Sequence, residues 1–276
     1  MIKTLSYWSV KNGSGGAQPI DLALDEAKAA GFPALELAIA EKGVLTVTTD
    51  QATCKKYRKL ADDRGMIVQT LASGMSWGCC PSHPDAAIRK RAIQLHADAL
   101  QRAAWLGCEA MLFVPGAVRV PWDASFKPVR YDQAMTWARE AIDALTPVAE
   151  KLGVDLCVEN VWNGLLTSPL EWRDLIDDVS SSHVGMYFDV GNFLAYHQYP
   201  PHWIEILGKR IKRIHIKDYS MTKGFVDLLA GDVPWAETIA ALKKVGYNKT
   251  IVAEMMPYDD TLCARTSKAL DKILSM

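Results

Sequence analysis

The chain has 276 residues, 49% hydrophobic and 23% charged, with a formal net charge of −1 and a pI near 6.6. These are ordinary proportions for a globular protein, and they lack the basic excess of a dedicated nucleic-acid or membrane-surface binder. Six cysteines without a C-x-x-C pair, two of them adjacent (Cys79 and Cys80), do not form a disulfide framework and suggest a reducing, cytoplasmic setting.

"MIKTLSYWSV" lacks the basic-then-apolar pattern of a secretory leader, and no apolar run approaches a membrane span. In chain order, short apolar runs predict strands at 2–8, 34–39, 66–72, 110–115, 154–159, 184–189, 211–217 and 250–255. Between and after them, helical periodicity predicts helices at 19–30, 50–64, 84–106, 130–152, 168–179, 201–208, 234–245 and 260–274. Pro19, Pro84 and Pro201 suit a first helical turn, and Gly31, Gly65, Gly107, Gly153 and Gly246 fall where helices stop. Strand then helix, eight times over, with strands apolar on both faces, predicts a parallel sheet covered by helices. Eight such units fit an α/β fold, a (β/α)8 TIM barrel of one domain spanning 1–276, with an open doubly wound sheet as the alternative. "NGSGGAQ" (12–18) matches neither a dinucleotide fingerprint nor a P-loop and reads as a loop.

A barrel of this kind gathers its active site at the C-terminal strand ends. Strand 5 ends in Glu159, strand 6 in Asp189 with Asn192 just beyond, strand 7 in His215 and then Lys217 and Asp218, and strand 8 in Glu254. Strand 2 contributes Glu36. A lone strand histidine is usually a satisfied core group, and a lone strand-end acid is often a cap or an ion-pair partner. Four consecutive strands delivering Glu, Asp, His and Glu to one end are different, because buried together they repel unless a cation sits among them. Three carboxylates and an imidazole suit one divalent ion per chain: Mn²⁺ first, with Mg²⁺, Co²⁺ or Zn²⁺ as alternatives.

"VENVWN", "YFDVGN", "RIHIKD", "AGDVPW" and "VAEM", in this order, resemble the xylose isomerase-like TIM barrels. Within them the likeness is to sugar and sugar-phosphate isomerases and epimerases, the ketose 3-epimerases and hexulose-phosphate isomerase-like proteins. It extends to "FPALEL" on strand 2 and the region of Arg89. The resemblance implies that Glu159, Asp189, His215 and Glu254 hold the metal. It also implies that Glu159 and Glu254 move protons through an enediolate that the metal stabilises. A small-molecule sugar or sugar phosphate is then the partner, without nucleic acid or membrane, in a monomer or a homo-oligomer (dimer or tetramer).

Two departures matter. Ketose 3-epimerases often carry His three positions after the strand-6 Asp, where this chain has Asn192; and an arginine beyond the strand-7 His is replaced by Met221. Asn192 can bind a hydroxyl but cannot shuttle a proton, which weakens the free-ketose assignment. Lys217 is read either as facing a carbonyl or phosphate or as a solvated lysine. Trp8, Trp77 and Trp162 lie near strand ends and suit the apolar faces of a sugar, as they would suit plain packing. His83 reads as lining the site or as a surface-loop residue. The abasic-site endonucleases of the same superfamily need further histidines that are absent here. A related lyase or deglycosidase acting on oxidised sugars or C-glycosides, and a sugar-binding barrel without turnover, remain as alternatives.

Overall fold

A computed structural model describes residues 1–276. In chain order its elements are β1 (Ile2–Ser6), α1 (Ile20–Ala29), β2 (Ala34–Ile39), α2 (Gln51–Asp63), β3 (Thr70–Ser73), α3 (Met75–Gly78), α4 (Ala86–Leu106) and β4 (Ala110–Phe113). They continue with α5 (Tyr131–Leu152), β5 (Asp155–Glu159), α6 (Pro169–Val179), β6 (Val184–Asp189), α7 (Pro200–Leu207) and β7 (Ile211–Ile216). The last are β8 (Asp218–Ser220), β9 (Gly224–Val226), α8 (Trp235–Lys244), β10 (Thr250–Ala253) and α9 (Leu262–Leu274).

Eight strands close into a parallel barrel in the order β1-β10-β7-β6-β5-β4-β3-β2, while β8 and β9 form a separate antiparallel hairpin. The closed ring decides against the open sheet. Every residue of β2, β3, β4, β6 and β10 is buried, as expected of strands with side chains inside the ring and under the helices. Register places the site. Glu159 pairs with Tyr187, and Asp189 with His215. Val252 pairs with His215, and the Glu254 N–H donates to Ile216 O at 3.1 Å.

Local chemistry starts and stops the helices. Asp50 and Asp85 accept backbone N–H groups at the starts of α2 and α4, and Ser168 with Glu171 forms a capping box on α6. Gly107 and Gly153 end α4 and α5 at φ 71° and 66°, the left-handed cap that glycine adopts without a Cβ clash.

Some boundaries differ from expectation. The first strand stops at Ser6, and Tyr7–Ser9 is a 3-10 turn whose Trp8 N–H is accepted by the Ser6 hydroxyl. The third strand covers only Thr70–Ser73, because the preceding stretch meets β2 only through a bridge from Ala34 to Ile67. Pro19 caps α1 from outside, and Pro84 lies before the cap of α4; only Pro201 is inside a first turn. The short α3 and the β8–β9 hairpin carry too few residues for periodicity to reveal. All six cysteines are buried and unpaired. No helix is long and apolar enough to cross a membrane.

Candidate active site

Glu159, Asp189, His215 and Glu254 converge at the C-terminal end of the barrel, each buried, with one ligand atom apiece all within 4.8 Å of one another. Their convergence follows from the topology: β5, β6, β7 and β10 are neighbours in a closed ring, and each carries its donor at or just beside its C-terminal end. His215 is the hub. Its Nδ1 lies 3.0 Å from Glu159 Oε1 and 2.9 Å from Glu254 Oε2, and its Nε2 lies 2.7 Å from Glu36 Oε1. With Nε2–H committed to Glu36, Nδ1 is the nitrogen turned to the cluster. This is the carboxylate–histidine pairing that fixes the tautomer of a metal-binding imidazole.

Glu36 departs from its expected role. It is fully buried, absent from the pocket wall, and held by His215 and by the Tyr187 hydroxyl, so it positions the imidazole from below and does not meet a substrate. The reason is depth: Glu36 shares a level with Ser6 inside the ring, well short of the end of β2.

Lys217 belongs to the cluster, not to solvent. Its side chain is 15% exposed, with Nζ 3.0 Å from Glu254 Oε2 and 3.1 Å from Asp189 Oδ2. Asp189 is set by backbone groups: its Oδ1 accepts the N–H groups of Gly191 and Asn192, both at 2.9 Å. Its Oδ2 has no hydrogen-bond donor, only the ion-pair approach of Lys217. Asn160 clamps the Asp189 backbone, donating from Nδ2 to Asp189 O at 2.8 Å and accepting Asp189 N–H on Oδ1 at 2.7 Å. Asn160 therefore fixes the backbone that carries Asp189. Asn163 ties down a loop through Gly116 O at 2.6 Å.

The electrostatics are uneven. Burial pushes the Glu159 carboxyl up to about 7, against the pull of His215. Burial acts upward on Glu254 too, but Lys217 and His215 outweigh it and hold that carboxyl down at about 2. Burial also raises Asp189, with Lys217 opposing. Desolvation works against the charged forms of His215 and Lys217, yet the surrounding carboxylates raise both. Glu36, Glu159, Asp189 and Glu254 face only the His215 imidazolium and the Lys217 ammonium, so full ionisation leaves an excess of two negative charges (four minus two). That excess, the open lone pair on Asp189 Oδ2 and the mixed O/N donor set fit a divalent ion.

Above the cluster opens a pocket of about 300 Å³ lined by Trp8, Trp77, Trp162, Asn192, Lys217 and both glutamates. Sequence reading missed Trp122 and Phe225, which complete its wall from a long loop and from the hairpin. The turn signal "TKGF" announces the hairpin, but nothing announces Trp122. His83 lies outside this pocket and accepts the Asp85 N–H at 2.9 Å. Met221 sits exposed in the hairpin turn, also off the pocket. His96 is a packing histidine, bonded to Ala92 O at 2.8 Å, and burial lowers its pKa to about 4.

The family described as Xylose isomerase-like TIM barrel matches residues 24–273. The chain is similar to the D-psicose 3-epimerase of Ruminiclostridium cellulolyticum, 26% identical over 193 residues, which are 68% of this chain and 63% of that protein. The match thus spans a little less than two thirds of that relative. A second D-psicose 3-epimerase, from Enterocloster bolteae, is 24% identical over 239 residues, 84% of this chain and 75% of the relative. Among solved structures, D-psicose 3-epimerase with D-tagatose from Clostridium cellulolyticum H10 aligns over 99% of each chain with a TM-score of 0.81 at 19% identity, a likeness of fold.

Proposed function

The chain belongs to the xylose isomerase-like TIM-barrel family, and from that premise we propose that it is a divalent-metal-dependent sugar epimerase or isomerase acting on a keto-sugar. The observation that carries this reading is the buried Glu159–Asp189–His215–Glu254 cluster on the pocket floor. Those four residues would hold the ion, with Mn²⁺ the first candidate. Bound there, it supplies Lewis-acid polarisation of the substrate carbonyl.

The chain's own residues do the rest. Glu159 and Glu254 both line the pocket and both border His215 Nδ1, so a substrate carbon over the cluster meets two carboxyl groups. One takes the proton next to the carbonyl and the other returns it, to the opposite face in an epimerase or to the adjacent carbon in an isomerase. Lys217 keeps Glu254 ionised, and burial leaves Glu159 at about 7, where it can take up and release a proton close to neutral pH. Asn192 Oδ1, buried at the floor without a donor, suits a substrate hydroxyl. The apolar walls exclude water, which strengthens each of these interactions.

The test pairs metal analysis of the purified protein with incubation in D₂O and Mn²⁺ alongside ketoses, ketose phosphates and oxidised sugars. Metal-dependent deuterium incorporation beside the carbonyl of one of them is the expected result. Exchange that persists in Glu159→Gln, or that ignores chelation, would sink the assignment.

A further inference from the structure

The lining of the pocket says more about the ligand than its catalytic floor does. The polar lining consists of Ser73, Glu159, Asn192, Lys217 and Glu254, and everything else is apolar. Four rings form a continuous run: Trp77 to Trp122 at 4.7 Å between centroids, Trp122 to Trp162 at 4.9 Å, and Trp162 to Phe225 at 5.9 Å. The run reaches the surface, with Trp122 50% and Phe225 40% exposed. A second chamber of about 420 Å³ adjoins the first and shares Trp8, Trp77, Glu254 and Met256 with it. Together the two spaces exceed what a lone monosaccharide fills.

Charge excludes one kind of sugar. Lys217 is the only cationic side chain lining either chamber, and its ammonium is taken up by Asp189 and Glu254. No arginine lines them, and the second chamber adds Glu41. Away from the metal cluster, a phosphate dianion would meet no free cationic side chain to bind it. An unsubstituted sugar can set a C–H face on the rings nearest the floor, but along the outer run any hydroxyl turned to a ring would lose its water without gaining a partner. A flat apolar group loses nothing there and gains ring-to-ring contact.

We propose that the substrate is an unphosphorylated keto-sugar carrying an apolar, ring-shaped substituent. This is a glycoside whose sugar lies over Glu159, Glu254 and Asn192 and whose aromatic aglycone packs along Trp77, Trp122, Trp162 and Phe225. The sugar half rests on the keto-sugar reading above; the aglycone half stands on the rings, and the exclusion of a phosphate on the absence of a free cationic side chain.

The Mn²⁺-loaded full-length protein is titrated by calorimetry with phenyl and methyl 3-oxo-glucosides, D-fructose and D-ribulose 5-phosphate. The phenyl compound is expected to bind about tenfold tighter than the methyl one, with the phosphate weakest. Trp122→Ala brings the phenyl-to-methyl ratio close to one, and Trp122→Phe keeps most of it. Equal binding of phenyl and methyl compounds, tightest binding of the phosphate, or no binding of the phenyl compound overturns the proposal. Deuterium exchange on the same probes separates the two readings. Exchange without a phenyl preference leaves the keto-sugar chemistry and removes the aglycone; a phenyl preference without exchange on any probe does the reverse.

Discussion

Asp189 and Asp218 are both fully buried aspartates beside the barrel mouth, one ending β6 and the other following β7, and their surroundings are opposite. Asp218 is closed on itself. Its Oδ1 accepts Tyr219 N–H at 2.9 Å and Val233 N–H at 3.3 Å, and its Oδ2 accepts Leu229 N–H at 2.8 Å and the Trp235 indole at 3.0 Å. A Cβ on Gly231 would lie 2.2 Å from Oδ1, so that position must stay glycine for the backbone to come so near. Asp189 is satisfied by backbone donors on one oxygen, while the other has no hydrogen-bond donor and meets only the Lys217 ammonium, in a cluster where carboxylates outnumber cations. Neutral donors on every lone pair mark a carboxylate that organises a loop. A lone pair left open in a dry place marks one waiting for a ligand.

The contrast can be broken, and the largest effect should come at the open cluster. Glu159→Gln removes a proton acceptor that the shape of the floor does not need. Turnover should fall by about a thousandfold, within the usual range for a general base, with little change in melting temperature. Unfolding of this variant would make Glu159 structural after all. At the closed site the effect should be on stability: Asp218→Asn loses charge-assisted bonds, at a cost on the order of 3 kcal/mol in denaturant unfolding, while metal per chain stays the same. A variant that keeps its stability but loses its metal would erase the distinction.

Metal linkage sharpens the same point. Free Mn²⁺ at about a hundred times its dissociation constant should stabilise the native protein by about 2.7 kcal/mol, read as a rise in melting temperature that chelation reverses. Asp189→Asn should largely lose that rise, and Asp218→Asn should keep it. The smallest effect is expected one step behind the ligands. Asn160→Ala frees the Asp189 backbone and should weaken metal binding about tenfold, the low end for a supporting residue, as measured by competition with a chelator. A loss as large as that of Asp189→Asn would place Asn160 among the ligands themselves.

Glu159, Asp189, His215 and Glu254 were legible because each ends an apolar run, and in a closed parallel ring such ends must converge. Glu36 was misread for the complementary reason: alternation tells which face a side chain takes but not how far up the barrel it stands. Lys217 was left between solvent and site, and only the third dimension supplies the carboxylates on its either side. Asn160 could not be assigned from the sequence, because the hydrogen bonds that fix its role run across to Asp189, on another strand. Trp122 lies in the stretch between β4 and α5 and Phe225 on a three-residue strand, where no periodicity exists to place a side chain. The barrel, the four converging donors and three of the tryptophans beside them could be read ahead of the structure, whereas Trp122 and Phe225, which complete the aromatic wall, could not.

The last strand to be made, β10, is also the one that seals the ring, pairing with β1 on one side and β7 on the other. Glu254 follows directly from it. An unfinished chain therefore carries three of the four donors but has no closed mouth in which to gather them, and the contact that completes the set joins residues from opposite ends of the sequence. Such long-range closure is slow compared with helix formation. An ion held as proposed would find its four donors together only on a molecule whose first and last strands have already met.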